Sequence, residues 1–134
     1  MKKRILSFVL VFALVCSMSI GASAASVSKT GKTSGGQIEG LVTSATLEVY
    51  TDHAVANTGC EADSGFTIIT AVRFYYMDAN NAEKSVSNSG RTTASAYKPA
   101  FPATPNGIRG ESDHYVYTNA VWGNWGCHLG ANVW

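Results

Sequence analysis

Several signatures are missing from this sequence, and each absence removes a class of chemistry. No C-x-x-C spacing occurs, so paired thiolates for redox exchange or zinc binding have no support. No G-x-S-x-G elbow occurs either. Serines are plentiful, so counting alone does not remove a serine triad. The run Asp78-Ala79-Asn80-Asn81-Ala82-Glu83 shares residue types with calcium loops. It lacks the length and the glycine of an EF-hand loop, and a hairpin tip accounts for it better. No internal repeat and no amphipathic helical pattern occur after residue 24. The longest apolar stretch, near the N-terminus, falls short of the roughly 20 residues that a membrane span needs.

That first stretch has another explanation. Met1-Lys2-Lys3-Arg4 is basic, residues 5–16 are apolar except Ser7, and Ala22-Ser23-Ala24 is a small-x-small cleavage motif. This order is that of a secretory signal peptide over residues 1–24. Cleavage would leave 110 residues, enough for one domain with a modest core. Charge changes with it. Removing Lys2, Lys3 and Arg4 from the 10 Lys+Arg leaves 7, against 9 Asp+Glu, a net charge of −2. Nucleic acid, or an anionic membrane surface after signal cleavage, is therefore not an expected partner, since both require a positive patch.

Cysteine is scarce. With Cys16 in the leader, Cys60 and Cys127 remain, 67 positions apart. Two cysteines in an exported chain predict one disulfide. A loop of that length would contribute roughly 4 kcal/mol in the chain-entropy model.

What is present is mostly strand pattern. Residues 25–36 (ASVSKTGKTSGG) carry one apolar side chain larger than alanine, Val27, and read as a flexible linker. In residues 37–51, Ala45, Leu47, Val49 and Thr51 alternate with polar positions, a half-buried strand. Residues 52–64 read as a loop carrying Cys60. Residues 65–78 place Phe66, Ile68, Val72, Phe74 and Tyr76 on one face, with Ile69, Ala71, Tyr75 and Met77 on the other. Apolar residues on both faces predict a central strand. A three-residue loop at 80–82 would set Tyr76 opposite Val86. A turn at 88–90 precedes a strand over 91–97 with Ala94 and Ala96 inward. Residues 98–111 hold all three prolines and Asn106-Gly107, a long loop.

The chain ends in DHYVYTNAVWGNWGCHLGANV, residues 113–133. A Gly123-Asn124 turn predicts a hairpin with Trp122 opposite Trp125 and Tyr117 opposite Gly130. In that register Val116, Cys127 and Leu129 share the core face. Tyr115, Tyr117, Asn119, His128 and Asn132 share the other. Counting back from Trp134 in twos gives no lipid-facing row, which argues against a transmembrane barrel. The expected fold is all-β: an antiparallel β-sandwich, or small barrel, of about seven strands. Its domain spans residues 37–134 and holds one disulfide.

Function is less legible. No catalytic constellation, metal site or cofactor motif stands out. His114 and His128 point to opposite faces of the hairpin and make poor co-ligands. The adjacent pairs Asp52-His53 and Asp113-His114 are not dyads by adjacency, because strand neighbours point apart. The aromatic–amide face of Tyr115, Tyr117, Asn119, His128 and Asn132 is the candidate ligand-binding site. It suits an extracellular or cell-envelope ligand, a glycan or a protein. Two other readings stay open: a secreted antimicrobial or toxin-like protein, and a small secreted hydrolase with a site beside residues 98–111. The hydrolase requires a histidine within hydrogen-bond reach of a carboxylate or hydroxyl.

Overall fold

A computed structural model describes residues 25–61, 66–100 and 107–133. The expected signal peptide, residues 1–24, lies outside the described residues, as do Phe101 and Trp134. Among the described residues nine strands and no helix occur. They are β1 (Ala25–Lys32), β2 (Ser34–Gly35), β3 (Val42–Val49), β4 (His53–Cys60), β5 (Thr67–Met77), β6 (Glu83–Gly90), β7 (Thr93–Tyr97), β8 (Gly107–Tyr117) and β9 (Gly123–Asn132). They form two antiparallel sheets, ordered β1-β3-β4-β7 and β2-β9-β8-β5-β6. The sheets pack in a sandwich-like arrangement, with β1 and β3 over β9, β4 over β8 and β5, and β7 over β5 and β6.

Side-chain size is divided unequally between the two inner faces. The four-stranded sheet contributes Ala45, Ala54, Ala56, Ala94 and Ala96, with Leu47 and Val49. The five-stranded sheet contributes Ile68, Val72, Phe74, Tyr76, Val116 and Leu129. Large rings therefore meet a layer of small residues. Phe74 is fully buried and needs glycine beside it. A Cβ on Gly107 would stand 1.9 Å from its Cζ.

The alternation within strands agrees with the pattern read from sequence; pairing and extent differ in several places. The segment 25–36 is not a loose tether. β1 pairs with β3 along its whole length, Ala25 opposite Val49 through Lys32 opposite Val42. Thr33 anchors the chain just beyond β1: its hydroxyl donates to the Trp122 carbonyl at 2.6 Å and accepts from Leu41 N–H at 2.9 Å. Gly31 leaves space for the Trp125 indole, whose Nε1 would lie 2.4 Å from a Cβ there. Backbone pairing and this tryptophan cover compensate for the low apolar content.

Residues 53–60, expected as loop, form the interior strand β4. Its core-facing residues are Ala54, Ala56 and Thr58, too small to give a strong hydrophobic alternation. The β5–β6 hairpin sets Tyr76 opposite Lys84, two residues from the expected register. Its tip has Asn81 at φ 59° and Asp78 Oδ1 accepting from the N–H groups of Asn80 and Ala82. Those two bonds hold the Asp78 carboxyl below its usual range. β6 and β7 do not form a hairpin within one sheet, because the chain crosses between sheets after Gly90.

The disulfide is a correction. Cys60 and Cys127 are both free thiols, not at bonding distance. Cys60 lies on β4, over β8 and β5, whereas Cys127 lies on β9, under β1 and β3. An inter-sheet disulfide joins strands that lie directly over one another with Cα atoms within about 7 Å, and the lateral offset of β4 from β9 takes the pair out of that range. Burial pushes the Cys127 thiol up, away from the reactive thiolate.

A polar cluster ties the sheets together. His114 is fully buried at 0 % exposure. Its Nδ1 meets Thr58 Oγ1 of the opposite sheet at 2.7 Å, and its Nε2 meets Ser112 Oγ at 2.7 Å. Thr58 also bonds Thr70 Oγ1 at 2.6 Å. Thr43 is the contrast: its buried hydroxyl has no hydrogen-bond partner.

Burial lowers the His114 pKa from 6.5 to about 4, against a smaller upward pull from Asp113. The unfolded chain therefore takes up this proton first. Its contribution to stability is full above pH 6.5 and is lost as pH falls through about 4. The expected loss is on the order of 3 kcal/mol. Urea denaturation between these pH values measures it, and a His114→Gln chain should show a shallower pH dependence. Thr43→Val removes an unsatisfied buried hydroxyl at nearly constant volume. It should raise unfolding stability by about 1 kcal/mol, seen as a higher urea midpoint at unchanged m.

Candidate functional site

The outer face of the five-stranded sheet is set by its registers. β8 pairs with β9 as Tyr117 opposite Asn124, Tyr115 opposite Gly126 and Asp113 opposite His128. The expected register set Tyr117 opposite Gly130, six residues further along. Strand faces repeat every two residues, so an even displacement keeps each side chain on its face. Val116, Cys127 and Leu129 accordingly point to the core side, and Tyr115, Tyr117 and His128 point outward. The turn is longer than two residues and occupies the segment between Tyr117 and Gly123. Gly123 adopts φ 76° there, and its N–H bonds the Asn119 carbonyl at 2.8 Å.

Tyr115 and Tyr117 stand side by side, their ring centroids 6.0 Å apart and planes 14° from parallel. They are 39 % and 43 % exposed, so part of each ring is open to a ligand. Tyr115 leans over Gly126, where a Cβ would lie 2.9 Å from its Cδ1. The other expected site residues separate. His128 lies near the tyrosines and its Nδ1 meets Asp113 Oδ1 at 2.8 Å. Asn132 sits opposite Arg109, four residues beyond His128 and thus about 13 Å away along the strand. Asn119 belongs to the turn. Its Oδ1 accepts from Val121 and Trp122 N–H at 3.0 and 3.3 Å, which makes it a loop-shaping residue.

Residues absent from the sequence reading complete the face. Next to the Asp113–His128 pair lies a depression of about 460 Å³ lined by Ala71, Arg73, Ser87, Ser89, Glu111 and Asp113, among others. That volume is within the range of small-molecule sites. Glu111 accepts from Tyr75 Oη at 2.9 Å and from Arg109 Nη1 at 2.7 Å. The Arg109 guanidinium covers one face of the Tyr75 ring at 3.6 Å. Arg73 Nε donates to Ser87 Oγ at 3.2 Å. Arg109, Glu111 and Asp113 share one face of β8, and the β5–β8 and β5–β6 registers bring Arg73 and Ser87 beside them.

The opposite sheet carries a second aromatic group. His53 is stacked between Tyr50 and Tyr97, at 4.3 and 4.6 Å. Its Nδ1 meets Asp52 Oδ1 at 2.6 Å, so these neighbours do form a pair; Asp52 precedes β4 in a bend and escapes strand alternation. Burial and the adjacent Glu48 carboxylate push the Tyr50 hydroxyl up to about 12. Here His53 is covered on both faces while Tyr97 stays exposed; Tyr115 and Tyr117 differ in standing on the sheet face that carries the depression.

All three histidines have a polar partner, but their settings differ. His114 reaches the hydroxyls of Ser112 and Thr58 in a site closed to solvent, where Ser112 Oγ could not meet a substrate. His53 and His128 bond carboxylates near the surface. Among the described residues, no three His, Cys, Asp or Glu side chains converge as a metal site. Comparison with protein-family models, with curated proteins and with solved structures finds no match.

The two tyrosines should differ in their structural role. Tyr115 shields the Gly126 backbone, so Tyr115→Ala should cost about 1 kcal/mol. Tyr117→Ala should change stability by less than about 0.5 kcal/mol. Chemical denaturation of the two variants distinguishes these outcomes.

Proposed function

We propose that residues 25–134 act, after export and removal of a signal peptide, as a non-catalytic binding module. Its ligand is extracellular or cell-envelope material, and a glycan suits the face best. The observation that carries this reading is the exposed Tyr115–Tyr117 pair beside the polar depression. An aromatic ring presents a negative π face, which suits the weakly positive C–H edges of a sugar ring. Carboxylate, guanidinium and hydroxyl groups within the same face suit its hydroxyls. The binding role falls to Tyr115 and Tyr117, with His128 held by Asp113.

A depletion assay tests this reading. Purified residues 25–134 are mixed with insoluble cell wall, chitin and cellulose, and the protein left in solution is measured. Selective depletion by a glycan or wall fraction is expected, with Tyr117→Ala weakening it by at least about tenfold, equivalent to 1.4 kcal/mol. Folded protein that binds none of these materials would count against the glycan reading. Binding that survives loss of both tyrosines would move the site elsewhere.

A further inference from the structure

The depression has a direction. Reading across the outer face, His128, Asp113, Ala71 and Ser89 form one row over β9, β8, β5 and β6. Ala71 and Ser89 are short, so the row is low over β5 and β6. On one side stand Tyr115 and Ile69, which are register partners and both 39 % exposed. On the other stand Glu111, Arg73 and Ser87, also cross-strand neighbours. The row is thus a channel between an aromatic–aliphatic side and a charged, hydrogen-bonding side, and the depression occupies its part over Asp113, Ala71 and Ser89. It crosses three inter-strand spacings, about 14 Å in all. β9 leaves the channel open around His128, with Gly126 and Gly130 as the next outward positions.

Its electrostatics select for little charge. Asp113 is paired with His128, Glu111 with Arg109 and Tyr75, and Arg73 has its own positive charge among them. The Glu111 carboxylate lies between the Arg73 guanidinium opposite it and the Arg109 guanidinium two residues away, so a fully charged ligand would meet repulsion and attraction together. A hydroxyl group donates and accepts, and therefore matches both signs. An extended peptide would bind best at a sheet edge, where backbone groups are free. This channel runs over the outer face and across the strands, so its floor presents side chains instead of free backbone groups.

We infer that the channel over His128, Asp113, Ala71 and Ser89 binds a neutral glycan chain lying across the strands. One sugar ring sits against Tyr115, and successive hydroxyls meet Asp113, Arg73 and Ser89. This inference rests on the ligand-binding reading of the same face. It adds the class of ligand, its direction and a contact wall formed by Arg73 and Glu111.

The test uses residues 25–134 with four insoluble matrices: cellulose and chitin as neutral chains, cross-linked polygalacturonate as an anionic chain and cross-linked chitosan as a cationic one. Depletion is measured at low and high salt for the parent and for Ala71→Gln and Ser89→Gln. Both substitutions raise the channel floor from outward-facing positions, one on an interior strand and one on the edge strand. Thermal unfolding reports whether each variant is folded, and either folded variant suffices. The expected result is salt-insensitive binding to a neutral matrix that falls at least about tenfold in the filled variants. Preference for a charged matrix, or suppression by salt, overturns the neutral-glycan assignment. If filling the floor has no effect while Tyr117→Ala abolishes binding, the ligand does not lie along the channel, and the broader binding role survives. Depletion by none of the four overturns the neutral-glycan assignment, and depletion by the cell-wall fraction alone would keep the broader binding role.

Discussion

Phe74 sets the spacing between the two sheets. It is the largest fully buried side chain among the described residues, and the strands opposite present mainly alanine. A sheet faced with methyl groups cannot close a core alone; it must receive larger side chains from its partner. Gly107 gives the ring its space at one end, while Gly110 lets Val49 approach, its Cγ2 lying 2.7 Å from where a Cβ would stand. With no covalent bond between Cys60 and Cys127, packing and the buried hydrogen bonds must hold the layers together. The same close packing determines which side chains are left outward on β5 and β8, and hence the composition of the candidate site.

The His114 cluster adds specificity of position to this packing. An imidazole between Thr58 of one sheet and Ser112 of the other fixes their relative placement through directional bonds. Buried polar groups are costly unless satisfied, so sliding the sheets past each other would strand both hydroxyls and the ring. Apolar contacts alone would discriminate less sharply between neighbouring placements. A histidine next to Ser112 therefore resembles a catalytic pair in composition while serving to align the core.

Face assignment was the most legible property of the sequence. Leu47, Val49, Phe74, Ala94, Ala96 and Val116 all point inward as their alternation indicates. Tyr115, Tyr117 and His128 point outward even though the hairpin register differs by six residues, because strand parity survives an even shift. Local pattern was blind where it is weakest. β4 has small inward residues, and β1 is held by pairing and by Trp125 over Gly31. Asn119 looked like strand because alternation continues into the turn, but its side chain shapes that turn. Arg73 and Glu111 looked like ordinary surface charges. Their relation depends on the β5–β8 register, which no local window contains. Cysteine number gave a chemical possibility but no information on the lateral offset of two strands.

The outer strands have a consequence for the behaviour of many copies together. β1 and β6 each leave an eight-residue edge, long enough to template pairing with another chain. Their sequences, however, are rich in serine and carry Lys29, Lys32, Glu83 and Lys84. Charged side chains make edge-to-edge zippering unfavourable, and β2 is only two residues long. Molecules crowded side by side along β1 or β6 would therefore remain separate units instead of fusing into a continuous sheet.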